Sequence, residues 1–176
     1  WTAKYITAHR SGDTVTGIDF DGLPNKIADV RASYSDKQTT HELQLAYDGG
    51  GAHSGVMGLY KFDGTAGGTV LNTFLGGTPF QSFGNTNGKV FTESTAIYGD
   101  WNWRLTPRLG LTAGIRFTEE SKRAVVLNQG FSDATFSTVI ATAANFDKTR
   151  DVRNTAPKLS VDFKLSDTTN LYATAS

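Results

Sequence analysis

The chain contains no cysteine, a single methionine and four prolines, and its 17 basic and 17 acidic side chains cancel. Without cysteine there are no disulfides and no thiolate metal centres, a usage that suits an exported protein. Zero net charge supplies neither a basic surface for nucleic acid nor an acidic tail. No apolar run approaches the roughly 18–20 residues of a transmembrane helix. The chain opens Trp-Thr-Ala-Lys instead of Met and a basic stretch. No signal peptide is read, and a mature or internal piece is expected.

What is abundant is glycine (19) and aromatic side chains, 11 Phe, 6 Tyr and 3 Trp. The most informative stretch is residues 109–118. Leu109, Leu111, Ala113, Ile115 and Phe117 alternate with Gly110, Thr112, Gly114, Arg116 and Thr118. Period-two alternation makes a strand with one apolar and one polar face. Its length matches the roughly 9–11 residues of a strand tilted across a bilayer. Arg116 falls on the polar face; on a lipid face near the midplane it would cost about 2–4 kcal/mol.

The segment before it repeats the pattern. Ile97, Gly99, Trp101, Trp103 and Leu105 share one parity, and Ala96, Tyr98, Asp100, Asn102 and Arg104 the other. Across a turn at 106–108, Leu105 is expected opposite Leu109, Trp103 opposite Leu111, Trp101 opposite Ala113 and Gly99 opposite Ile115. Tyr98 then faces Arg116, with Asp100 diagonal to it. A one-residue slip would move Asp100 and Arg104 into the apolar face. The hairpin therefore predicts a lipid-facing set, Ile97, Trp101, Trp103, Leu109, Leu111, Ala113, Ile115 and Phe117. The matching lumen-facing set is Tyr98, Asp100, Thr112 and Arg116.

Five further strands are predicted. The first is Trp1 to Arg10, with its odd positions outward. The second is His41 to Asp48, with His41, Leu43, Leu45 and Tyr47 on one face. The third is Ser54 to Phe62, with Val56, Gly58, Tyr60 and Phe62 outward and Lys61 inward. The sixth carries Pro157, Leu159, Val161, Phe163 and Leu165 on one face, and the seventh is Asn170 to Ser176. Short connections near 48–53, 106–108 and 166–169 alternate with long loops near 11–39, 63–90 and 121–150. Tight turns at one rim and long loops at the other fit a membrane barrel. The expected fold is all-β: an antiparallel transmembrane β-barrel segment of about seven strands, an arc of a larger barrel. Such a piece alone would leave two bare edges in lipid. The competing readings are a soluble β-sandwich module for carbohydrate binding or adhesion, and a secreted hydrolase on a β scaffold.

Residues that could carry chemistry are few. Gly84 to Val90 departs from a phosphate loop by having three residues between its glycines and Val after Lys89, and reads as a flexible loop. Asp19-Phe-Asp-Gly22 lacks the later ligands of a calcium loop and reads as a turn. His9 and His41 are expected near the loop-facing ends of adjacent strands, as ordinary rim residues; His53 is the remaining histidine. Glu119 and Glu120 point to opposite faces and read as a solvated strand end. No nucleophile–base arrangement is present, so neither enzyme activity nor a cofactor or metal site is expected. Phe74, Phe80, Phe83 and Phe131 fall in the long loops. They pack the loops on themselves or, alternatively, contact a ligand.

The stretch Ser94-Thr-Ala-Ile-Tyr-Gly-Asp-Trp-Asn-Trp-Arg-Leu-Thr-Pro-Arg-Leu-Gly-Leu-Thr-Ala-Gly-Ile-Arg-Phe-Thr118 resembles a barrel hairpin of the TonB-dependent outer-membrane receptors. An aromatic-Gly pair precedes a Leu-Thr turn and a Gly-hydrophobic-Arg-aromatic strand. Tyr5–Arg10, Thr40–Leu45 and Pro157–Phe163 followed by Leu171–Ser176 agree in order, so the resemblance spans nearly all of residues 1–176. It implies a partial barrel domain, taken from a 22-stranded barrel of the bacterial outer membrane. Neither the plug nor the closing C-terminal strand is read in this stretch. The implied activity is import of a scarce nutrient such as a ferric siderophore. The implied partners are outer-membrane lipid, the plug and remaining strands of the same receptor, the inner-membrane TonB complex through segments outside this stretch, and a small-molecule ligand. The ligand itself is not readable, because fold does not specify it.

Overall fold

The computed structural model describes residues 1–24 and 27–176. It holds seven strands: β1 (Thr2–Asp19), β2 (Ala28–Asp48), β3 (His53–Phe74), β4 (Ser82–Thr106), β5 (Leu109–Phe131), β6 (Val139–Lys164) and β7 (Asn170–Ala175). They form one antiparallel sheet in the order β1-β2-β3-β4-β5-β6-β7. Every strand pairs with its neighbours in sequence, as in a meander, and among the described residues no second sheet packs on either face. The sandwich reading needs that second sheet.

The strands are far longer than expected. β6 has 26 residues and β4 has 25. At about 3.3 Å per residue a 25-residue strand is about 80 Å long, against an apolar band of about 25 Å in membrane barrels. The loops expected at 11–39, 63–90 and 121–150 are mostly paired backbone. β1 continues through Asp19 opposite Asp29, β3 through Phe74 opposite Ser82, and β5 through Phe131 opposite Val139. The physical reason is that both faces of these extensions mix small, polar and scattered apolar side chains, as at Ala124–Leu127, so no alternation marks them. Thr and Val in runs such as Thr14-Val-Thr16 and Thr69-Val70 still favour extended chain. Gly84 to Val90, expected to be a flexible loop, is the interior of β4. Glu119 and Glu120 lie mid-strand, and His9 and His41 also sit within paired strands.

Among the described residues, turns are confined to 20–24 and 27, 49–52, 75–81, 107–108, 132–138 and 165–169. Asn25 and Lys26 of the first predicted loop lie outside the described residues. The longer and shorter turns still alternate along the chain, which places them at opposite ends of the sheet. Side-chain oxygens close the turns. Asp19 Oδ1 accepts the N–H groups of Asp21 (3.1 Å) and Gly22 (2.9 Å), with Gly22 at φ 63°. Asp21 Oδ2 takes the N–H of Ala28 at 2.5 Å. These carboxylates are occupied by turn donors, as a turn reading requires. Asp133 does the same at 132–138, accepting from the backbone of Thr135, Ser137 and Thr138. The Thr135 hydroxyl, which also donates to it, and then the backbone donors of Thr138 and Ser137 favour its charged form and hold its carboxyl well below the usual range.

The β4–β5 hairpin follows the expected register from Trp103↔Leu111 to Tyr98↔Arg116. At the turn it departs. Thr106, not Leu105, pairs with Leu109, and the register shifts between Arg104 and Thr106. Leu105 is the extra residue of a bulge. Thr106 Oγ1 accepts the N–H groups of Arg108 and Leu109 at 3.2 and 3.0 Å, which tightens the corner.

Candidate functional site

Cross-strand partners share a face, so the register sorts every side chain. One row reads Tyr5, Leu43, Leu59, Ile97, Phe117. The next toward the short turns reads Ala3, Leu45, Met57, Gly99, Ile115, Pro157, and the one after it holds Tyr47, Gly55, Trp101, Ala113 and Leu159. Leu111 and Leu109 continue this face beside Val161 and Phe163. All eight residues of the first expected set stand on this apolar face.

The face is bare. Leu43, Leu59, Ile97, Phe117 and Leu159 each leave about half of their surface exposed (50, 53, 55, 47 and 51%). It also ends abruptly. The row just beyond it, toward the longer turns, is Thr7, His41, Lys61, Thr95, Glu119 and Arg153, polar in six consecutive strands. Glu119 accepts from Arg153 Nε there at 2.9 Å, and Lys61 pairs with Asp63 at 3.3 Å. A groove of about 680 Å³ follows this junction, with Leu59 and Ile97 on one side and Lys61 and Arg153 on the other.

At the short-turn end of the same face, Trp1, Tyr47, His53 and Trp101 form one aromatic cluster. Tyr47 stacks on Trp101 at 5.9 Å and on His53 at 5.0 Å, and Trp1 tilts against Tyr47 at 4.9 Å. Trp101 lies directly over Gly55, where a Cβ would collide with its ring. Trp103 is 36% exposed beside the tight turn. Sequence reasoning found the tryptophans but not Tyr47 or His53 as their partners. Only the register of β2 against β3 brings those together.

The opposite face carries Tyr98, Asp100, Thr112 and Arg116, the whole of the second expected set, and connects them across strands. Tyr98 on β4 donates its hydroxyl to Glu42 Oε1 on β2 at 2.5 Å. It crosses β3 over Gly58, where a Cβ would stand 2.6 Å from the ring. Arg116 lies over the rings of Tyr60 (5.3 Å) and Tyr98 (5.7 Å), and its Nε donates to Thr118 at 3.2 Å. Asp100 does not pair with Arg116. It accepts from Lys158 Nζ on β6 at 3.0 Å, across Gly114 of β5. Thr112 donates to Asn102 at 2.6 Å. The result is a polar network over five strands, β2 to β6, with glycines where a long side chain crosses.

The third strand faces the opposite way to that expected. Val56, Gly58, Tyr60 and Phe62, expected outward, lie on the network face with Asp100, Tyr98, Ala96 and Ser94. Met57, Leu59 and Lys61 take the apolar-face positions. Both parities of this strand hold apolar residues, so only its neighbours decide.

The four phenylalanines are not together in long loops. Phe74 closes β3, Phe83 lies in β4 and Phe131 closes β5; only Phe80 is in a turn, 79% exposed. Phe83 and Phe131 are opposed partners, each 5% exposed. Phe136 meets both edge-on, at 6.0 and 5.6 Å, from the 132–138 turn. That turn is pinned by Phe136 itself, held at φ 55°. Of the two readings offered for these rings, burial of Phe83 and Phe131 is the self-packing one. His9 binds Thr39 and His41 binds Tyr5, at 2.9 and 2.7 Å, and no group of three or more His, Asp or Glu converges among the described residues.

The fold has counterparts. The ferric yersiniabactin uptake receptor FyuA of Yersinia pestis superposes with a TM-score of 0.76 at 17% identity, over 98% of this chain and 24% of that one. The ferric-catecholate import receptor Fiu of E. coli K12 aligns at a TM-score of 0.45 and 10% identity, over 97% of this chain and 32% of that one. This chain thus spans about a quarter of the length of FyuA. No curated protein matches the sequence. The family model described as TonB dependent receptor-like, beta-barrel matches residues 1–176. The chain belongs to the TonB-dependent receptors, as a stretch of their β-barrel domain.

Proposed function

We propose that this sheet is part of the wall of an outer-membrane importer, with its apolar face in lipid and its networked face on the lumen. The observation that carries the reading is the bare apolar band. A contiguous apolar surface of this size is rare on a soluble monomer. It ends at one polar row and is flanked by aromatic rings, as expected where hydrocarbon meets water. Extensions that lack a continuous apolar face suit strands that continue into solvent beyond the bilayer. The longer turns are then extracellular and the shorter ones periplasmic.

The activity proposed is uptake of a scarce nutrient such as a ferric siderophore, energised through the inner-membrane TonB complex. Family membership supports transport in general, and the name of FyuA supports iron as the cargo class. The plug and the remaining barrel strands of the same receptor complete the machine. Cells whose only iron importer is the full-length receptor should accumulate iron from ferric chelates and stop when the TonB complex is inactivated. Accumulation that persists without that complex overturns the reading.

A further inference from the structure

The turn at 132–138 is fastened to one particular face of the sheet. The register of β4 runs unbroken from Phe83 to Trp103, and its pairing with β5 from Phe83↔Phe131 to Trp103↔Leu111. Phe83 and Phe131 therefore stand on the face that carries Ile97 and Phe117, the apolar one. At about 3.3 Å per residue Phe131 lies about 45 Å along β5 from Phe117, the outermost apolar residue of the band on that strand, so lipid does not cover these rings. The turn covers them: Phe136 meets Phe83 at 6.0 Å and Phe131 at 5.6 Å, and both partners are 5% exposed. Phe136 holds φ 55° there, a backbone conformation that a bulky L-residue keeps only where its contacts enforce it. The hairpin end is bent to suit. Between Asn128↔Ala144 and Phe131↔Val139, β6 uses two residues more than β5. The longer arm tips the turn toward β5 and, beyond it, toward Phe83 of β4.

The other face is cleared at the same level. Gly84 and Gly130 are opposed partners there, flanked by Asn72 on β3 and Ala141 on β6. The 75–81 turn is built differently. It also has an apolar residue at positive φ, Leu75 at 53°, but Leu75 and Phe80 stay 48 and 79% exposed. We propose that Phe136 anchors the β5–β6 turn to the outer surface of the barrel wall and keeps it there throughout transport. The lumen mouth above β4–β6 is then held open, with the opposed glycines on its inner side. The tip at Ala134 and Thr135 remains exposed to solvent, outside the mouth. This role rests on the facing proposed above and not on the cargo.

Distances between paired spin labels on intact cells test it in a full-length receptor with no other cysteine. One label sits at Thr135 on the tip, and the other at Asn87 on the outer face of β4 or at its neighbour Thr86 on the inner face. The Thr135–Asn87 distance should be the shorter and should form one narrow population, with the TonB complex active or inactivated. Phe136→Ala should roughly double the width of that population, because the turn then opens locally while the strand ladder stays intact. Phe83→Ala should do the same from the other side of the contact, and the compact band on gels confirms that each barrel is folded. A tip closer to Thr86, a second population on the inner side in either state, or a width that neither alanine variant changes overturns the anchor. Reversed oxygen relaxation at Ile97 with the Thr135 distances as expected would instead overturn the facing on which the open mouth rests.

Discussion

Tyr98 and Glu42 are bonded to each other across an intervening strand. The phenol of β4 reaches over Gly58 of β3 and donates to the carboxylate of β2 at 2.5 Å. The contact exists because Gly58 has no side chain. A Cβ there would lie 2.6 Å from the ring and 2.8 Å from the Leu43 carbonyl oxygen. Gly58→Ala is therefore expected to destabilise by about 1–3 kcal/mol through overpacking. Tyr98→Phe should cost about 1 kcal/mol, the low side of a hydrogen bond to a charged group, because the pair is only part-buried. Heat-induced loss of the compact band on gels of the full-length receptor reads both. A fully stable Gly58→Ala variant would show that Tyr98 does not need that path.

Neighbouring residues on β5 should respond oppositely to charge. Ala113→Arg places a cation on the apolar face and is expected to cost about 2–4 kcal/mol near the bilayer midplane. Thr112→Arg places it on the network face and should cost well under half as much. Folding titrations of the full-length receptor into lipid vesicles provide the comparison. Equal costs would remove the lipid assignment.

Spin labels offer an independent check of the same faces. Labels at Ile97, Leu111 and Ile115 should relax with dissolved oxygen, and labels at Asp100 and Thr112 with a polar nickel chelate. The inverse accessibility pattern would turn the sheet inside out.

The β5–β6 extension should loosen in acid. The Arg123 guanidinium beside Asp147 holds that carboxyl below its ordinary value of 3.8. A depressed carboxylate contributes stability above the unfolded pKa, and that contribution is lost as pH falls through the folded pKa. Amide protection near Val125 and Phe146, taken relative to the intrinsic exchange rate at each pH, should therefore be flat from neutral pH to about pH 5 and fall below about pH 4. Asp147→Asn should flatten this response. Because the pair is exposed, the effect is small. Loosening on raising the pH instead would contradict the pairing.

Protease added to intact cells should cut within 75–81 and 132–138 and spare 107–108. The paired arms at 82–95 and 119–131 should resist, because their backbone groups are engaged in the ladder. Cutting throughout 63–90 would restore the long loops expected from sequence.

The sequence determined the strand type and facing of the β4–β5 hairpin. A residue pair such as Arg116 and Phe117 tolerates only one parity when one side of the sheet is apolar, and ten such residues in a row leave a single solution. It also determined that Pro157, Leu159, Val161 and Phe163 share a face. It could not determine the extensions. Around residues such as Thr65, Gly67 and Asn87 the sequence mixes small, polar and isolated apolar side chains, so no period survives, and only pairing with neighbouring strands holds them extended. Nor could it orient the third strand, where Val56, Met57, Leu59 and Tyr60 occupy both parities. The register decides that case by setting Leu59 between Leu43 and Ile97. The partners of the network were likewise tertiary. Glu42, Tyr98 and Lys158 are far apart in sequence, and strand pairing at about 4.8 Å per strand brings them within reach over glycines.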